Sequence, residues 1–362
     1  MKKLLRCVSL IMIIAIISVF TAGCTANSYA IKVGNKTVSA KFYASFIKMQ
    51  KQQYLSSMGI SDSDMDWSKM SSSESEEEIT IGEQLEQSVI DLLKSAKLYS
   101  LQFDNLGLSF TEKEKEEFEN TLNTSIENAG GRDKFEEYLK DLGITYDEYV
   151  DYLWDFQKQD KVVDYYFGPN GKDPVSADEI KAYYKEKNVR IKNVLILKTD
   201  SNTGEDLTGS ALQEAKDKAQ KVLNLAKSQT EDKFDDLIEE YNQDSGVESY
   251  PDGYIFSKGQ MSGIQVFEDA AFDMQVGEVR LVESDYGYHI MKKYDVLDKS
   301  VYTDETQKQA LYSMRETELS EFLEEWEKNT TVKINNKVII KYAVEKIKIE
   351  ETTTDTQSED NQ

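Results

Sequence analysis

The chain has one histidine, His289, two cysteines, Cys7 and Cys24, and three prolines, Pro169, Pro174 and Pro251. Each scarcity excludes something. One imidazole and two thiols cannot assemble a zinc cluster from Cys and His ligands, so no metal and no cofactor is expected. So few prolines leave helices uninterrupted over most of the 362 residues, and helix-forming residue types abound between them. Positive charge is also short: 43 Lys and Arg stand against 67 Asp and Glu, a formal charge of −24. That balance argues against a nucleic-acid partner, whose phosphates need clustered cations. An acidic surface either simply keeps the protein soluble or attracts basic clients. Long apolar runs are confined to one place, Val8 to Phe20.

That run, "VSLIMIIAIISVF", follows Lys2, Lys3 and Arg6. It is short for a membrane span and has the dimensions of a signal-peptide core. It ends at "TAGC", Thr21 to Cys24. Small residues before a cysteine resemble a bacterial lipobox, in which the cysteine is diacylated and the peptide is cut before it. Thr21 stands where that motif usually has leucine. A plain secretory signal with an incidental cysteine is the alternative. On the lipobox reading residues 1–23 are a signal peptide, Cys24 carries lipid and residues 24–29 are a linker. No second thiol then remains for a disulfide. Two acyl chains suffice for stable anchoring, which puts the protein on the extracytoplasmic side of the cell membrane.

Downstream, Ala30 to Leu55 reads as a strand, a turn at Gly34-Asn35, a short strand and a helix capped by Ser39. Residues 61–78 hold seven acids and one lysine and read as a solvated loop. A long amphipathic helix is expected over 79–106. Capping boxes at Thr111/Glu114, Thr145/Glu148 and Ser176/Glu179 start three more. In the second of these, Tyr149, Leu153, Phe156, Val163 and Phe167 form one stripe, read as core rather than as a client groove. Arg190 to Leu197 reads as a strand, 210–227 and 231–241 as helices, 278–282 and 288–294 as strands. A single helix is expected over 303–330. "VKINNKVIIKY", 332–342, reads as a strand pair about Asn335-Asn336. The tail from Glu350 has five acids and no base, and reads as disordered.

"RIKNVLILK", "FDDLIEEYNQDSG", "PDGYIFSKGQM", "FEDAAFDMQVGEV" and "ESDYGYHIMKKYDV" follow one another between about 188 and 297. In this order they resemble a parvulin-type peptidyl-prolyl isomerase. The flanks, with "VSADEIKAYY" leading in, are similar to the SurA/PrsA class of exported folding factors. The resemblance implies an α+β protein in which a helical chaperone domain carries an inserted parvulin-like α/β domain with a small four-stranded sheet. Its boundaries are 30–187 for the first helical part, 188–297 for the parvulin-like domain, 298–345 for the returning helix and strands, and 346–362 for the acidic tail.

The resemblance also implies site residues. The proline pocket takes Met261 and Phe267, with Phe272 behind them; the family spaces that Met and Phe four apart, and here they are six apart. The polar centre takes Asp244, His289 and Asn193, where Asn193 replaces the family's first histidine. Plainer roles stand beside these: core for Phe267 and Phe272, a turn for Asp244, a tie between strands for Asn193 and His289. The implied activity is a membrane-anchored prolyl isomerase, a foldase for exported proteins that engages their X-Pro segments. It needs no cofactor, and a homodimer is left open. The alternative is a chaperone whose parvulin domain only binds clients. A solute-binding lipoprotein would need alternating α/β halves that this chain lacks.

Overall fold

The structure is a computed structural model that describes residues 28–71, 79–200, 203–229 and 231–349. The signal segment 1–23, Cys24, residues 72–78 of the acidic loop and the tail from 350 lie outside the described residues. In chain order the elements are β1 (Tyr29–Val33), β2 (Lys36–Ser39), α1 (Ala40–Met58), α2 (Ile81–Asn105), α3 (Glu112–Asn128), α4 (Arg132–Leu142) and α5 (Tyr146–Phe167). Next come α6 (Ala177–Lys187), β3 (Asn188–Leu197), α7 (Gly209–Ser228), α8 (Phe234–Tyr241), β4 (Tyr254–Ser257), α9 (Gln265–Asp273), β5 (Val279–Glu283) and β6 (Gly287–Tyr294). The chain closes with α10 (Asp304–Met314), α11 (Glu316–Lys328), β7 (Val332–Ile334) and α12 (Asn336–Lys341). Helices and small antiparallel sheets thus mix as an α+β fold. The chain divides at 174/175 and 315/316 into two compact units.

The first unit joins both ends of the chain. Its sheet runs β2-β1-β7, all antiparallel, with Ile31 opposite Ile334. Gly34 takes φ +57° in the β1–β2 turn, a conformation glycine adopts without strain. Ser39 caps α1 by accepting from Phe42 N–H, and capping boxes start α2, α3 and α5 at Thr80, Thr111 and Thr145. Tyr43, Ile47, Leu93, Phe135 and Leu139 are fully buried in its core. The α5 stripe joins that packing: Tyr149, Leu153 and Phe156 lie half-buried against the core, and Val163 and Phe167 are buried.

Two charged side chains are buried with them. Asp155 lies between Lys97 and Lys158. Lys51 donates to Val344 O (3.1 Å) and Ile347 O (2.6 Å), pairs with Asp62 (2.7 Å) and sits 5.2 Å from the Trp67 ring centre. Glu148 serves two helices at once. It closes the Thr145 capping box and accepts from Ser39 Oγ at 2.7 Å. Glu148→Ala is therefore expected to cost about 1–2 kcal/mol in urea unfolding, more than a single lost cap at the low end of its range.

Two expected elements differ here. The helix expected over 303–330 is broken at Arg315 into α10 and α11. No proline or glycine marks the break; it falls at the boundary between the units. The strand pair expected over 332–342 is one strand, β7, followed by helix α12. Asn335 ends the ladder: its N–H bonds Ala30 O and its side-chain amide bonds Tyr29 O. Val338, four residues after Ile334, then turns into the core on a helical period.

The second unit is built on a sheet of order β4-β3-β6-β5, antiparallel throughout. β3 is its longest strand and pairs with β6 over its upper eight residues, Leu195 facing His289. Alternation splits the sheet into two faces. Val194, Ile196, Tyr288 and Ile290 pack against Ala219, Val222, Phe234 and Leu237 of α7 and α8. Val189, Ile191 and Met291 pack on the other face with Phe256, Phe267, Ala271 and Met274. Gly287 lets β6 close on β3, since a Cβ there would meet Ile196 O at 2.2 Å. The unit is wider than the 188–297 stretch. It also contains α6 and α10; Tyr184 of α6 and Tyr302, just before α10, have their rings 5.3 Å apart.

Candidate active site

Asn193, His289 and Phe267 meet on the α9 face of the second sheet. Asn193 lies opposite Met291 and His289 opposite Leu195, so the two polar side chains are diagonal neighbours on one face. Both are buried, at 2% and 3% exposure. Asn193 Oδ1 and His289 Nδ1 have no hydrogen-bond partner. Buried polar atoms are seldom left so, which sets this pair apart from the rest of the sheet face.

The other imidazole nitrogen is held. His289 Nε2 lies 2.8 Å from Ser284 Oγ, which accepts from Tyr286 N–H at 3.1 Å. The Phe267 ring meets the imidazole edge-on, with centroids 5.2 Å apart. Burial pushes the His289 pKa down from 6.5 to about 4; Asp244 opposes this weakly and Lys198 adds to it. The ring is therefore neutral at neutral pH.

Asp244 reaches the site through backbone pairing. β4 covers only the first part of β3, leaving Leu195 and Leu197 at an edge. Asn242 and Gln243 cover that edge: their side-chain oxygens accept from Leu195 N–H and Leu197 N–H, and Gln243 N–H donates to Leu195 O. Asp244 follows them. Its carboxylate accepts from Gly246 N–H (2.9 Å) and from Tyr254 OH (2.8 Å) and does not bond His289 directly. The Tyr250 ring lies 4.9 Å from that of Tyr254, tilted by 42°, and is half exposed.

Met261 and Phe272 lie half-buried at the edge of the same apolar cluster, while Phe267 is 2% exposed and packs on both His289 and Phe256. Phe267 is thus the floor of this cluster, and Met261 and Phe272 are its accessible part. A 290 Å³ depression between α7 and β5 opens on the opposite face, beside Tyr288, and holds none of these groups.

Sequence reasoning missed Glu268, Ser284, Tyr254 and Asn242. Glu268 had a signal: an acid beside Phe267, three residues before Ala271, on the buried stripe of α9. It accepts from Gly259 N–H (2.8 Å) and Met261 N–H (3.0 Å). Asn242 sat in the quoted "YNQD" segment, where amide side chains able to pair an open strand edge preceded Asp244.

Residues 179–299 match the PPIC-type PPIASE domain family. The chain carries a parvulin-type domain. The foldase protein PrsA of Staphylococcus epidermidis is 33% identical over 172 residues, 45% of this chain and 46% of that protein. Foldase PrsA of Bacillus subtilis is 30% identical over 175 residues, 48% of this chain and 47% of that one. The chain thus spans about half the length of the curated relatives it matches. The crystal structure of Bacillus subtilis PrsA aligns with 76% of this chain and 98% of its own, at 22% identity and a TM-score of 0.25. Within the parvulin-type domain, the strand pair β3–β6 supplies Asn193 and His289, and α9 supplies Phe267. Among the described residues no group of His, Cys, Asp and Glu could hold a metal ion, and no helix is long and apolar enough to cross a membrane.

Proposed function

We propose that this protein is a membrane-anchored, extracytoplasmic peptidyl-prolyl isomerase that assists the folding of exported proteins at their X-Pro bonds. The observation that carries the reading is that Asn193, His289 and Phe267 lie on the one sheet face whose accessible apolar edge is Met261 and Phe272. Rotation about an amide faces a barrier of about 18–20 kcal/mol from resonance. No covalent step is needed. A proline ring against Met261 and Phe272 would leave water, and the twisted amide would gain hydrogen bonds that the planar amide does not use. Twisting localises a lone pair on the prolyl nitrogen and weakens the carbonyl dipole. A neutral imidazole fixed by Ser284 suits that change, because it offers a hydrogen bond without demanding a proton. Anchoring rests on the basic start, apolar run and "TAGC" of residues 1–24.

A protease-free assay with a proline tetrapeptide tests the proposal. Isomerisation above the uncatalysed rate is expected, and His289→Ala should lower the enzymatic rate constant about tenfold or more. Asn193 favours a second reading, a client-binding chaperone without catalysis, because an amide cannot take a charge. No acceleration, together with suppressed aggregation of an unfolded client, would select it. Recovery of catalysis in Asn193→His would then identify the missing imidazole as the cause.

A further inference from the structure

Glu268 is a buried carboxylate that the proposed reaction does not use, at 1% exposure on the first turn of α9. Its two oxygens lie 2.8 and 2.9 Å from Gly259 N, and one of them lies 3.0 Å from Met261 N. These backbone N–H groups draw its pKa below the usual carboxylate range, Gly259 first and Met261 second. The loop they belong to is tight. Gly259 sits at φ +87°, a conformation that other residues resist. Gln260 closes a turn on Ser257 through backbone and side chain. Immediately before Glu268 on α9, Phe267 packs against His289. One helix turn therefore fixes both the aromatic floor and, through a charged clamp, the loop that presents Met261.

We infer that Glu268 is a positioning residue for the proline pocket: it holds the 257–261 loop so that the Met261 side chain forms the accessible wall beside Phe267. This rests on the proposed X-Pro site. A loop held only by its own turn would leave Met261 free to swing, because methionine has three rotatable bonds and adapts to its surroundings. A charge-assisted clamp to two donors on either side of Gln260 removes that freedom before a peptide arrives, so the affinity of the site is not spent on ordering the loop.

The test uses the full chain with methyl-labelled methionine, the Met261 signal assigned with Met261→Leu, and the same proline tetrapeptide as ligand. In Glu268→Gln one clamp oxygen becomes an NH₂ group facing backbone donors. The Met261 methyl should shift and broaden while Met274 and Met291, buried in the same cluster, keep their positions. The peptide dissociation constant should rise about tenfold with little change in the rate of the bound state. Glu268→Asp, which keeps the charge on a shorter arm, should recover part of the affinity. Unchanged affinity in Glu268→Gln, or Met274 and Met291 moving along with Met261, overturns the inference, the latter because the residue then only supports the fold. Wild-type protein that neither binds nor isomerises the peptide overturns the proposed function and Glu268's role with it. Wild-type protein that binds, with a Glu268→Gln variant that matches it, overturns Glu268 alone.

Discussion

Lys51→Met is expected to cost about 3–5 kcal/mol of stability in the unit that joins the two ends of the chain. The substitution keeps an unbranched side chain of similar volume, so packing changes little. What it removes is the ammonium of a side chain only 1% exposed. Three acceptors depend on it: Val344 O, Ile347 O and the Asp62 carboxylate. Asp62 keeps its bonds from Trp67 Nε1 and Ile349 N–H, but its main counter-ion is gone. The readout is favourable, since all three tryptophans, Trp67, Trp154 and Trp326, lie in this unit. Tryptophan fluorescence in urea follows its unfolding alone. Amide exchange should also quicken first over 343–349, the segment that Lys51 ties to α1. A loss below about 1 kcal/mol would mean that the ammonium is dispensable and that the C-terminal segment is held by apolar contacts.

The second large effect is a pH dependence in the parvulin-type unit. His289 has an ordinary pKa of 6.5 when unfolded and about 4 when folded. Between these values the unfolded chain binds the proton and the folded chain does not, so falling pH favours unfolding. The contribution is complete above pH 6.5 and is lost as pH falls to about 4. At about 1.4 kcal/mol per pH unit, the interval is worth about 3 kcal/mol. Carboxylates add a separate acid sensitivity: Lys292 and Tyr294 hold Asp232 below its usual range although burial opposes them. Comparison with His289→Gln subtracts that background. The stability difference between wild type and variant should shift by about 3 kcal/mol between pH 7 and pH 4, against the wild type. Exchange of the β6 amides measures it, because this unit contains no tryptophan. A difference that does not change with pH would mean the folded imidazole titrates normally and is open to water.

The legibility of this chain was uneven for physical reasons. Caps and turns are local, and Ser39, Thr111, Thr145, Ser176 and Gly34 all act where their side-chain chemistry indicates. Strands β3, β5 and β6 announce themselves by apolar alternation. The failures are places where distant chain decides. Residues 336–341 have strand-like composition, but Asn335 spends its donors on β1 and the chain turns helical. The break at Arg315 carries no local punctuation and falls where the chain passes from one unit to the other. At the candidate site, the resemblance supplied residue identities and the structure supplied their states. Asn193 and His289 share a face with unspent bonding capacity, Phe267 is floor, and Asp244 is occupied by Tyr254. Glu268 carried a signal on the buried stripe of α9, but the backbone donors it accepts from, and the Ser284 hydroxyl beside His289, are contacts that no residue pattern reveals.

The first sheet joins residues from opposite ends of the chain, which bears on its assembly. Asn335 bonds Tyr29 across 306 residues of sequence, and Lys51 bonds Val344 across 293. A nascent chain delivered from its N-terminus holds β1, β2 and α1 to α5 long before β7 exists to pair with β1. The parvulin-type unit, by contrast, is one continuous stretch and needs nothing later than Arg315. Contacts this remote carry the largest closure entropy and form last. Once the inserted unit has folded, it ties residues 175 and 315 into one compact body and shortens the effective loop that β7 must close. The inserted unit then works as a splint for its own chain, shortening the path that separates the two halves of the outer unit.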